Sequence, residues 1–336
     1  MSHNVYNFQV RSYKRSFKKP LITSQCVLKE REGLIVRLEN DLGNVGFGEI
    51  APMPFIGSEF FDAAEAFCSQ IDVKITDDFI ASIDPKLPCC RFGILSAREM
   101  LQPTFIRREF EVAALFSLAD ENIPFHYQNF TTFKCKIGSS SFEQEKEAFI
   151  LIYTKLPKDA MIRLDANGAL SQDEAKKWLN FLDNLDACNI QFIEQPLAKG
   201  QEPLMSELAH NHRTPIALDE SVVNDDDLQR ILENKWPGWI VIKPCLIGNI
   251  DLFRHLRAHC DLPIVYSSVF ETAIGVEAAL ALAAADPKND HALGFGTIDY
   301  FLEDGFNFHH KGPRILSGKM TINDFEKIWN LCKVIK

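Results

Sequence analysis

Ionisable side chains close five successive apolar runs between Phe130 and Cys245. The runs are short and rich in β-branched and aromatic residues, a composition typical of buried strands. In an α/β barrel the carboxyl ends of the parallel strands converge on one mouth, where active sites are built. We therefore expect six side chains to lie together at such a mouth: Lys134, Lys136, Asp165, Glu194, Asp219 and Lys243.

The three carboxylates of this set would repel one another and need a counter-charge. A hard divalent cation supplies it, because Mg²⁺ prefers oxygen ligands, and Mn²⁺ would be a substitute. No histidine or cysteine closes these strands, which argues against zinc. For any single carboxylate the alternative is an ion pair with a nearby lysine. Three carboxylates and three lysines on five strand ends favour the metal site.

The stretch TTFKCKIG, residues 131–138, places two lysines one residue apart. Side chains alternate between the faces of a strand, so Lys134 and Lys136 point the same way. A solvated edge strand is one explanation of such a pair. The other is catalytic: Lys134 and a nearby cation would help Lys136 to lose its proton, as a general base must at neutral pH. Lys243 would face Lys136 across the mouth, and the metal would hold a substrate carboxylate.

Further polar residues near the strand ends are candidates for substrate binding or for supporting the metal ligands. Arg163 would share the inward face with Asp165, or be a paired charge in the barrel interior. The two serines that end the seventh strand would bind a carboxylate, or be ordinary turn hydroxyls. Glu220 would orient Lys243, or begin a helix. The candidates are Arg163, Asn167, Glu220, Ser267 and Ser268.

Strand and helix patterns alternate from about residue 130 onward, at the roughly 25–30-residue spacing of βα units. Ser140 with Glu143, and Ser171 with Glu174, are predicted capping boxes. Asn224 and Asn249 are further predicted N-caps. The rhythm predicts an α/β barrel or an open doubly wound sheet. Between the first barrel strand, EVAALFS, and TTFKCKIG the short LADENIPFHYQN leaves little room, so we expect the first barrel helix to be short or missing.

The first 105 residues have a different pattern. GLIVRLENDLGNVGFGEIAP predicts a hairpin, and SEFFDAAEAFCSQI and RFGILSAREML predict helices, so this part is expected to be a separate α+β domain. The basic residues from Arg11 to Lys19 alternate with apolar ones and predict a strand with one wet face. GFGEIA nominally matches a dinucleotide-binding pattern, but PMP follows where a helix would begin, so we discard that interpretation.

The composition of the chain argues against nucleic-acid and membrane partners. The chain has 336 residues and a formal net charge of −10, which disfavours nucleic acid. No apolar run is long enough to span a membrane, and the N-terminus lacks a signal-peptide pattern. Nine cysteines without a CxxC pair indicate free thiols in a reducing cytoplasm. The expected partner is a small-molecule carboxylate, and the oligomeric state stays open.

The motifs KCK, LDANG, IEQP, ALDES and IKP, in this order and spacing, resemble the muconate-lactonising branch of the enolase superfamily. Within that branch the stretches REGLIVRLEN, GFGEIAPMP, YSSVFETAIG and GFGTIDYFLED are most similar to the o-succinylbenzoate synthase family of menaquinone biosynthesis. This resemblance implies a modified (β/α)7β TIM barrel over residues 106–305. It also implies an α+β capping domain over residues 1–105, completed by a tail at about 306–336.

The resemblance also implies roles for the strand-end residues. Asp165, Glu194 and Asp219 would bind Mg²⁺. Lys136 would abstract the α-proton of 2-succinyl-6-hydroxy-2,4-cyclohexadiene-1-carboxylate and then protonate the departing hydroxide, a syn dehydration. Lys243 would stay charged and stabilise the intermediate. The stretch KKPLITS corresponds to a loop that closes the mouth, or is a simple turn.

Other functions fit parts of this pattern. An N-acylamino acid racemase or a dipeptide epimerase uses the same scaffold, and two lysines would suit it. GFGTIDY lacks the D-x-D pattern with which the epimerases hold an α-ammonium group. A non-catalytic binding barrel would have lost a lysine or carboxylate, and none is missing. A Schiff-base aldolase would not need three carboxylates.

Overall fold

The fold is known from a computed structural model, which describes residues 4–22, 27–102, 106–118, 129–185, 189–310 and 312–335. The strands are β1 (Val5–Ile22), β2 (Val27–Asn40), β3 (Val45–Ile50), β4 (Lys74–Thr76), β5 (Glu109–Glu111), β6 (Ala114–Phe116), β7 (Thr132–Lys136), β8 (Met161–Asp165), β9 (Ile190–Glu194), β10 (Ile216–Leu218), β11 (Trp239–Ile242), β12 (Ile264–Tyr266), β13 (Arg314–Leu316) and β14 (Lys333–Val334). The α-helices are α1 (Phe61–Gln70), α2 (Asp77–Ala81), α3 (Pro88–Met100), α4 (Phe142–Tyr153), α5 (Gln172–Asp183), α6 (Glu202–Asn211), α7 (Asp225–Glu233), α8 (Pro244–Ile247), α9 (Ile250–Ala258), α10 (Ala273–Ala285) and α11 (Ile322–Leu331).

Strands β6 to β12 form one parallel sheet in which chain neighbours are also spatial neighbours. A further segment closes this sheet, because Leu293 bridges Val112 and Gly294 bridges Ser267, both in parallel. The sheet therefore curls into a barrel whose eighth position is taken by the segment around Leu293. This confirms the predicted modified barrel and excludes the open doubly wound alternative.

Most of the predicted helix starts are confirmed. Ser171 and Glu174 form a reciprocal capping box at α5. Asn224 accepts the backbone N–H of Asp227 at the start of α7, and Asn249 caps α9 in the same way. The polar side chain satisfies an amide that the helix itself leaves unpaired, which is why these residue types marked the boundaries.

The capping box predicted for Ser140 and Glu143 is wrong. Helix α4 begins one residue later, with Ser141 as the N-cap that accepts the N–H of Gln144. The reason lies in Glu145, whose carboxylate accepts the N–H groups of Gly138, Ser139 and Ser140 at 2.7–3.0 Å. These amides are therefore already satisfied from inside the helix, and Ser140 belongs to the preceding loop.

The N-terminal strands form an antiparallel sheet in the order β14-β1-β2-β3, with β4 also pairing with β1. The predicted hairpin of β2 and β3 is confirmed, as are the helices α1 and α3. Helix α3 packs against β3 at very short range, since a Cβ on Gly48 would lie 1.9 Å from the carbonyl oxygen of Gly93. The glycines of GFGEIA therefore allow helix–strand packing, which explains the motif without a nucleotide.

Strand β1 corrects the prediction of a basic wet face. Lys14 and Lys18 are exposed, but Arg15 lies on the buried face between Tyr13 and Phe17. Its guanidinium pairs with Asp304 at 3.1 Å and lies over the ring of Phe301, 3.7 Å from the centroid. A buried arginine with such partners is indistinguishable in sequence from its solvated neighbours.

Several sequence predictions concern single segments. The described part of the chain has no helix long and apolar enough to cross a membrane. The seven described cysteines are buried free thiols, whereas Cys26 and Cys188 lie outside the described residues. The predicted short or missing first barrel helix falls on residues 119–128, which also lie outside them.

Candidate active site

A cavity of about 410 Å³ opens at the carboxyl ends of the barrel strands. Its polar lining residues include Lys134, Lys136, Asp165, Asp219 and Lys243. Its apolar and aromatic lining residues come from the barrel and from the N-terminal sheet region: Leu21, Phe55, Ile56, Leu115, Phe116, Phe270 and Tyr300. A small organic carboxylate fits a pocket with such a mixed lining, whose volume lies within the range of about 300–1,000 Å³ of small-molecule sites.

The register of the parallel strands places three of the expected residues in one row. Lys136 on β7 is paired with Asp165 on β8, and Asp165 is paired with Glu194 on β9. Each lies at the last residue of its strand, where the barrel opens. Glu194 is set deeper than the other two and lies behind Lys134, so it is buried without lining the cavity.

Lys134 occupies the space between two of the carboxylates. Its Nζ lies 2.8 Å from Asp165 Oδ2 and 2.8 Å from Glu194 Oε1. Burial favours the neutral amine, but the two negative charges outweigh burial and raise the pKa of Lys134. The same pair lowers the pKa of Asp165 against the effect of its own burial. Lys134 is therefore a firmly charged counter-ion, and its predicted influence on Lys136 stays a prediction.

Lys243 forms an ion pair with Asp219 on the opposite side of the mouth. Burial lowers the pKa of Lys243 to about 8, and the nearby Lys134 acts in the same direction. Asp219 is held in place by Gln195, whose side-chain oxygen accepts the N–H of Asp219 at 3.0 Å and that of Ser221 at 3.2 Å. Gln195 belongs to the IEQP motif, but the sequence did not predict that its side chain binds the backbone at the end of the next strand.

Lys136 is the most exposed of the three lysines and lines the cavity. The loop that follows it is fixed by the buried carboxylate of Glu145, which binds three consecutive amides from Gly138 to Ser140. Sequence reasoning missed Glu145, because nothing in the helical stretch FEQEKEAF distinguishes it from Glu143 or Glu147. Only the loop preceding the helix reveals which glutamate turns inward.

Asn167 and Glu220 form a second polar pair at the mouth. Asn167 donates its backbone N–H to Asp165 and its side-chain amide to Glu220 at 3.2 Å. Burial raises the pKa of Glu220 to about 7, and the charges of Asp165 and Glu194 act in the same direction. The prediction that Glu220 begins a helix is wrong, since α7 starts at Asp225. Its Oε2 is buried and has no hydrogen-bond partner among the described residues.

Of the remaining candidates, Arg163 lies inside the barrel, whereas Ser267 and Ser268 lie at the cavity. Arg163 is fully buried in the barrel interior, where it donates to Gln191 at 2.6 Å and to the carbonyl of Ala292 at 2.8 Å. Its partners are an amide and a carbonyl and not a charged group, and its role in supporting Asp165 stays a prediction. Ser267 and Ser268 line the cavity, and their hydroxyls bond to the Gly294 carbonyl and the Thr297 hydroxyl. Both hydroxyls are thus engaged within the barrel wall.

The donor set at the mouth fits a hard divalent cation. Carboxylate oxygens are what Mg²⁺ prefers, and the Asp165 and Glu194 oxygens that share Lys134 Nζ are no farther apart than twice 2.8 Å. In the described part of the chain no three acidic, histidine or cysteine side chains already surround one point. The carboxylates instead face the lysines: Lys134 contacts Asp165, and Lys243 contacts Asp219. To bind the ion, these carboxylates would turn away from the two ammonium groups. Glu220 Oε2 adds a buried unpaired acceptor beside them.

Two family models match the chain. The one described as "Enolase C-terminal domain-like" covers residues 119–325, and the one described as "MenC, N-terminal domain" covers residues 4–101. The chain belongs to the enolase superfamily. The chain is 36% identical over 296 residues to the o-succinylbenzoate synthase of Thermosynechococcus vestitus, which spans 86% of this chain and 92% of that protein.

Two solved structures resemble nearly the whole of this chain. The crystal structure of o-succinylbenzoate synthase from Thermosynechococcus elongatus BP-1, complexed with Mg in the active site, superimposes with a TM-score of 0.85. It is 33% identical and covers 96% of this chain and 99% of that chain. The L-Ala-D/L-Glu epimerase from Bacillus subtilis has a TM-score of 0.77 at 21% identity, over 92% and 95% of the two chains. That second likeness concerns the fold alone.

Proposed function

We propose that this chain is an o-succinylbenzoate synthase. It is a Mg²⁺-dependent carbon–oxygen lyase that dehydrates 2-succinyl-6-hydroxy-2,4-cyclohexadiene-1-carboxylate in menaquinone biosynthesis. The observation that carries this function is the 36% identity to a synthase over nearly the whole of both chains. The MenC N-terminal family match and the synthase structure with a TM-score of 0.85 support the same function.

The base of the proposed reaction is Lys136, and its position on the cavity supports that role. Its Nζ would take the proton from the carbon α to the substrate carboxylate. The same nitrogen would then return that proton to the departing hydroxyl group, so both events occur on one face of the ring and water leaves. The buried loop anchor Glu145 would keep this amine directed at the cavity. General acid–base steps of this kind are worth about 10²–10⁴-fold in rate.

In this proposal Asp165, Glu194 and Asp219 would hold Mg²⁺, with Mn²⁺ as a substitute. When bound, the cation would supply positive charge against the carboxylate that becomes electron-rich as the proton leaves. Lys243 would add a second positive charge from across the mouth. Its ion pair with Asp219 places this charge beside the proposed metal ligands. Asn167 would steady Asp165, and Glu220 would hold the Asn167 side chain in place. The charge of Arg163 would act on Glu194 from the interior.

The proposal also covers the division of the chain into domains, its location and its partners. The capping domain would comprise residues 1–105 together with the tail from about 306, and the barrel residues 106–305. Pairing of β14 with β1 supports attachment of the tail to the first sheet. The protein would act in the cytoplasm on a small carboxylate, without nucleic acid or membrane partners. Ser267 would donate to a substrate carboxylate only after releasing the Gly294 carbonyl, whereas Ser268 keeps its hydrogen for substrate when Thr297 is the donor of their shared bond.

A direct dehydration assay tests this function. Conversion of the cyclohexadiene substrate to its aromatic product is followed by absorbance, with Mg²⁺ and then with excess EDTA. We expect turnover that EDTA abolishes and Mg²⁺ restores. Absence of turnover, combined with deuterium exchange at the α-carbon of N-succinyl amino acids, would instead assign the chain as a racemase on the same scaffold.

A further inference from the structure

Phe270 has an unusual backbone conformation at the rim of the cavity. Its φ is 65°, in the left-handed region that bulky side chains rarely adopt. It lies in the loop between the seventh barrel strand, β12, and α10, and its ring lines the cavity beside Tyr300 with ring centroids 5.8 Å apart. Strained residues persist only where their surroundings over-determine them, and they concentrate at functional sites.

The main restraint on this loop comes from Glu49, on strand β3 of the N-terminal sheet. Its fully buried carboxylate accepts the N–H of Thr272 at 2.9 Å and the N–H of Gly275 at 2.9 Å, and also the Thr272 hydroxyl. These groups lie at the start of α10, where a negative charge is stabilised by unpaired amides. A Cβ on Gly275 would come within 2.6 Å of Glu49 Oε2, so this approach requires glycine.

A second restraint comes from strand β1 of the same sheet. Arg15 donates to the carbonyl of Glu271 at 3.3 Å, and the ring of Phe17 packs edge-on against Phe270 with centroids 5.5 Å apart. On the barrel side, Val269 donates its N–H to the side chain of Glu271 at 2.8 Å. Phe270 thus lies in a stretch that is held by the first sheet and by the barrel loop, while its ring lines the cavity.

The geometry points to Phe270 as a substrate-positioning side chain, whose ring forms part of the apolar wall of the cavity and is held in place by Glu49 through Thr272 and Gly275. The six-membered ring of the substrate would pack against this wall, which sets the distance from its reacting carbon to Lys136. This inference rests on the proposed dehydration and adds a residue to it. On this view Phe270 adopts its positive φ because this conformation directs its ring into the pocket.

The test makes the same substitution at two phenylalanines whose rings pack against each other, Phe270 and Phe301. Phe270→Leu removes the wall, whereas Phe301→Leu removes a buried ring of the same aromatic cluster that does not line the cavity. We expect F270L to raise KM at least fivefold and to weaken o-succinylbenzoate binding in calorimetry to a similar extent. F301L should lower the melting temperature and leave KM and product affinity within twofold. Phe270→Tyr, which keeps the ring, should retain wild-type KM.

Glu49→Gln tests the anchor through a double-mutant cycle. We expect E49Q to raise KM in the parent chain and to have no further effect in the F270L background, because Glu49 acts through Phe270. If F270L does not fold, Phe270→Gly replaces it, since glycine adopts this φ without strain. The inference is overturned if the variant that folds keeps wild-type KM, or if F301L raises KM as much. An inactive parent chain refutes the proposed function instead, so the two failures are distinguishable.

Discussion

Lys134 Nζ lies 2.8 Å from the Oε1 oxygen of Glu194, a carboxylate that is only 1% exposed. An ion pair this deep in a barrel is strong only while both partners are present, because neither charge has water to replace the other. The sequence suggested that the lysines serve catalysis. The structure adds that one of them, Lys134, is the counter-ion of two of the carboxylates.

Removing Lys134 should therefore make stability depend on magnesium. Lys134→Met leaves Asp165 and Glu194 without their shared partner, which should cost about 3–5 kcal/mol of unfolding free energy in EDTA. Added Mg²⁺ should recover more stability in K134M than in the parent chain, and urea unfolding with each addition measures this. Lys177→Met, at an exposed and loosely paired lysine, is the control and should change stability by less than about 1 kcal/mol. An equal Mg²⁺ effect in K134M and parent would contradict the account.

Gln195 should matter for metal affinity although it is no ligand. Gln195→Leu leaves the amides of Asp219 and Ser221 unpaired and frees the end of strand β10. Residues that orient metal ligands typically affect affinity by about 10–100-fold. We expect calorimetry to show a loss of this size in Mg²⁺ affinity, with turnover partly recovered at saturating Mg²⁺. Unchanged affinity would mean that Gln195 only joins the two strands.

Glu277 should give the fold a pH dependence that is separate from the active site. Burial raises its pKa to about 7, while it accepts the N–H of Gly318. Since the folded state holds this proton more tightly than the unfolded chain, Glu277 favours folding at low pH, and its contribution falls as pH rises from about 4.5 to 7. The urea midpoint of Glu277→Gln should decline less than that of the parent between pH 5 and pH 8. Parallel declines in the two proteins would exclude this role.

Much of the fold was predictable because its determinants are local. Asn224, Asn249 and the Ser171–Glu174 pair mark helix starts by their own chemistry, and the βα rhythm predicted the parallel strands. The closing bridge at Leu293 was implied by family resemblance alone, since a two-residue contact carries no periodic signal. Arg15 was misplaced because its partner Asp304 is nearly 300 residues away, and sequence alternation cannot reveal such pairs.

The sequence predicted which side chains come together at the site, but not which residues hold them there. Strand ends are recognisable, so the gathering of Lys136, Asp165 and Asp219 on one cavity followed from topology. The residues that hold these side chains in place could not be predicted in this way. Glu145 and Gln195 bind backbone amides, and the positions of those amides depend on the conformation of loops. A buried glutamate that binds loop amides looks in sequence like any exposed helix residue.

The central claim is that Lys136 removes the proton while the carboxylates hold magnesium. The most direct measurement is turnover of Lys136→Ala in the dehydration assay, with Mg²⁺ affinity of the same preparation determined by calorimetry. We predict a fall in kcat of at least about 10³-fold, within the range of lost general-base catalysis, with Mg²⁺ affinity close to that of the parent. Turnover within tenfold of the parent, with magnesium bound, would contradict the claim.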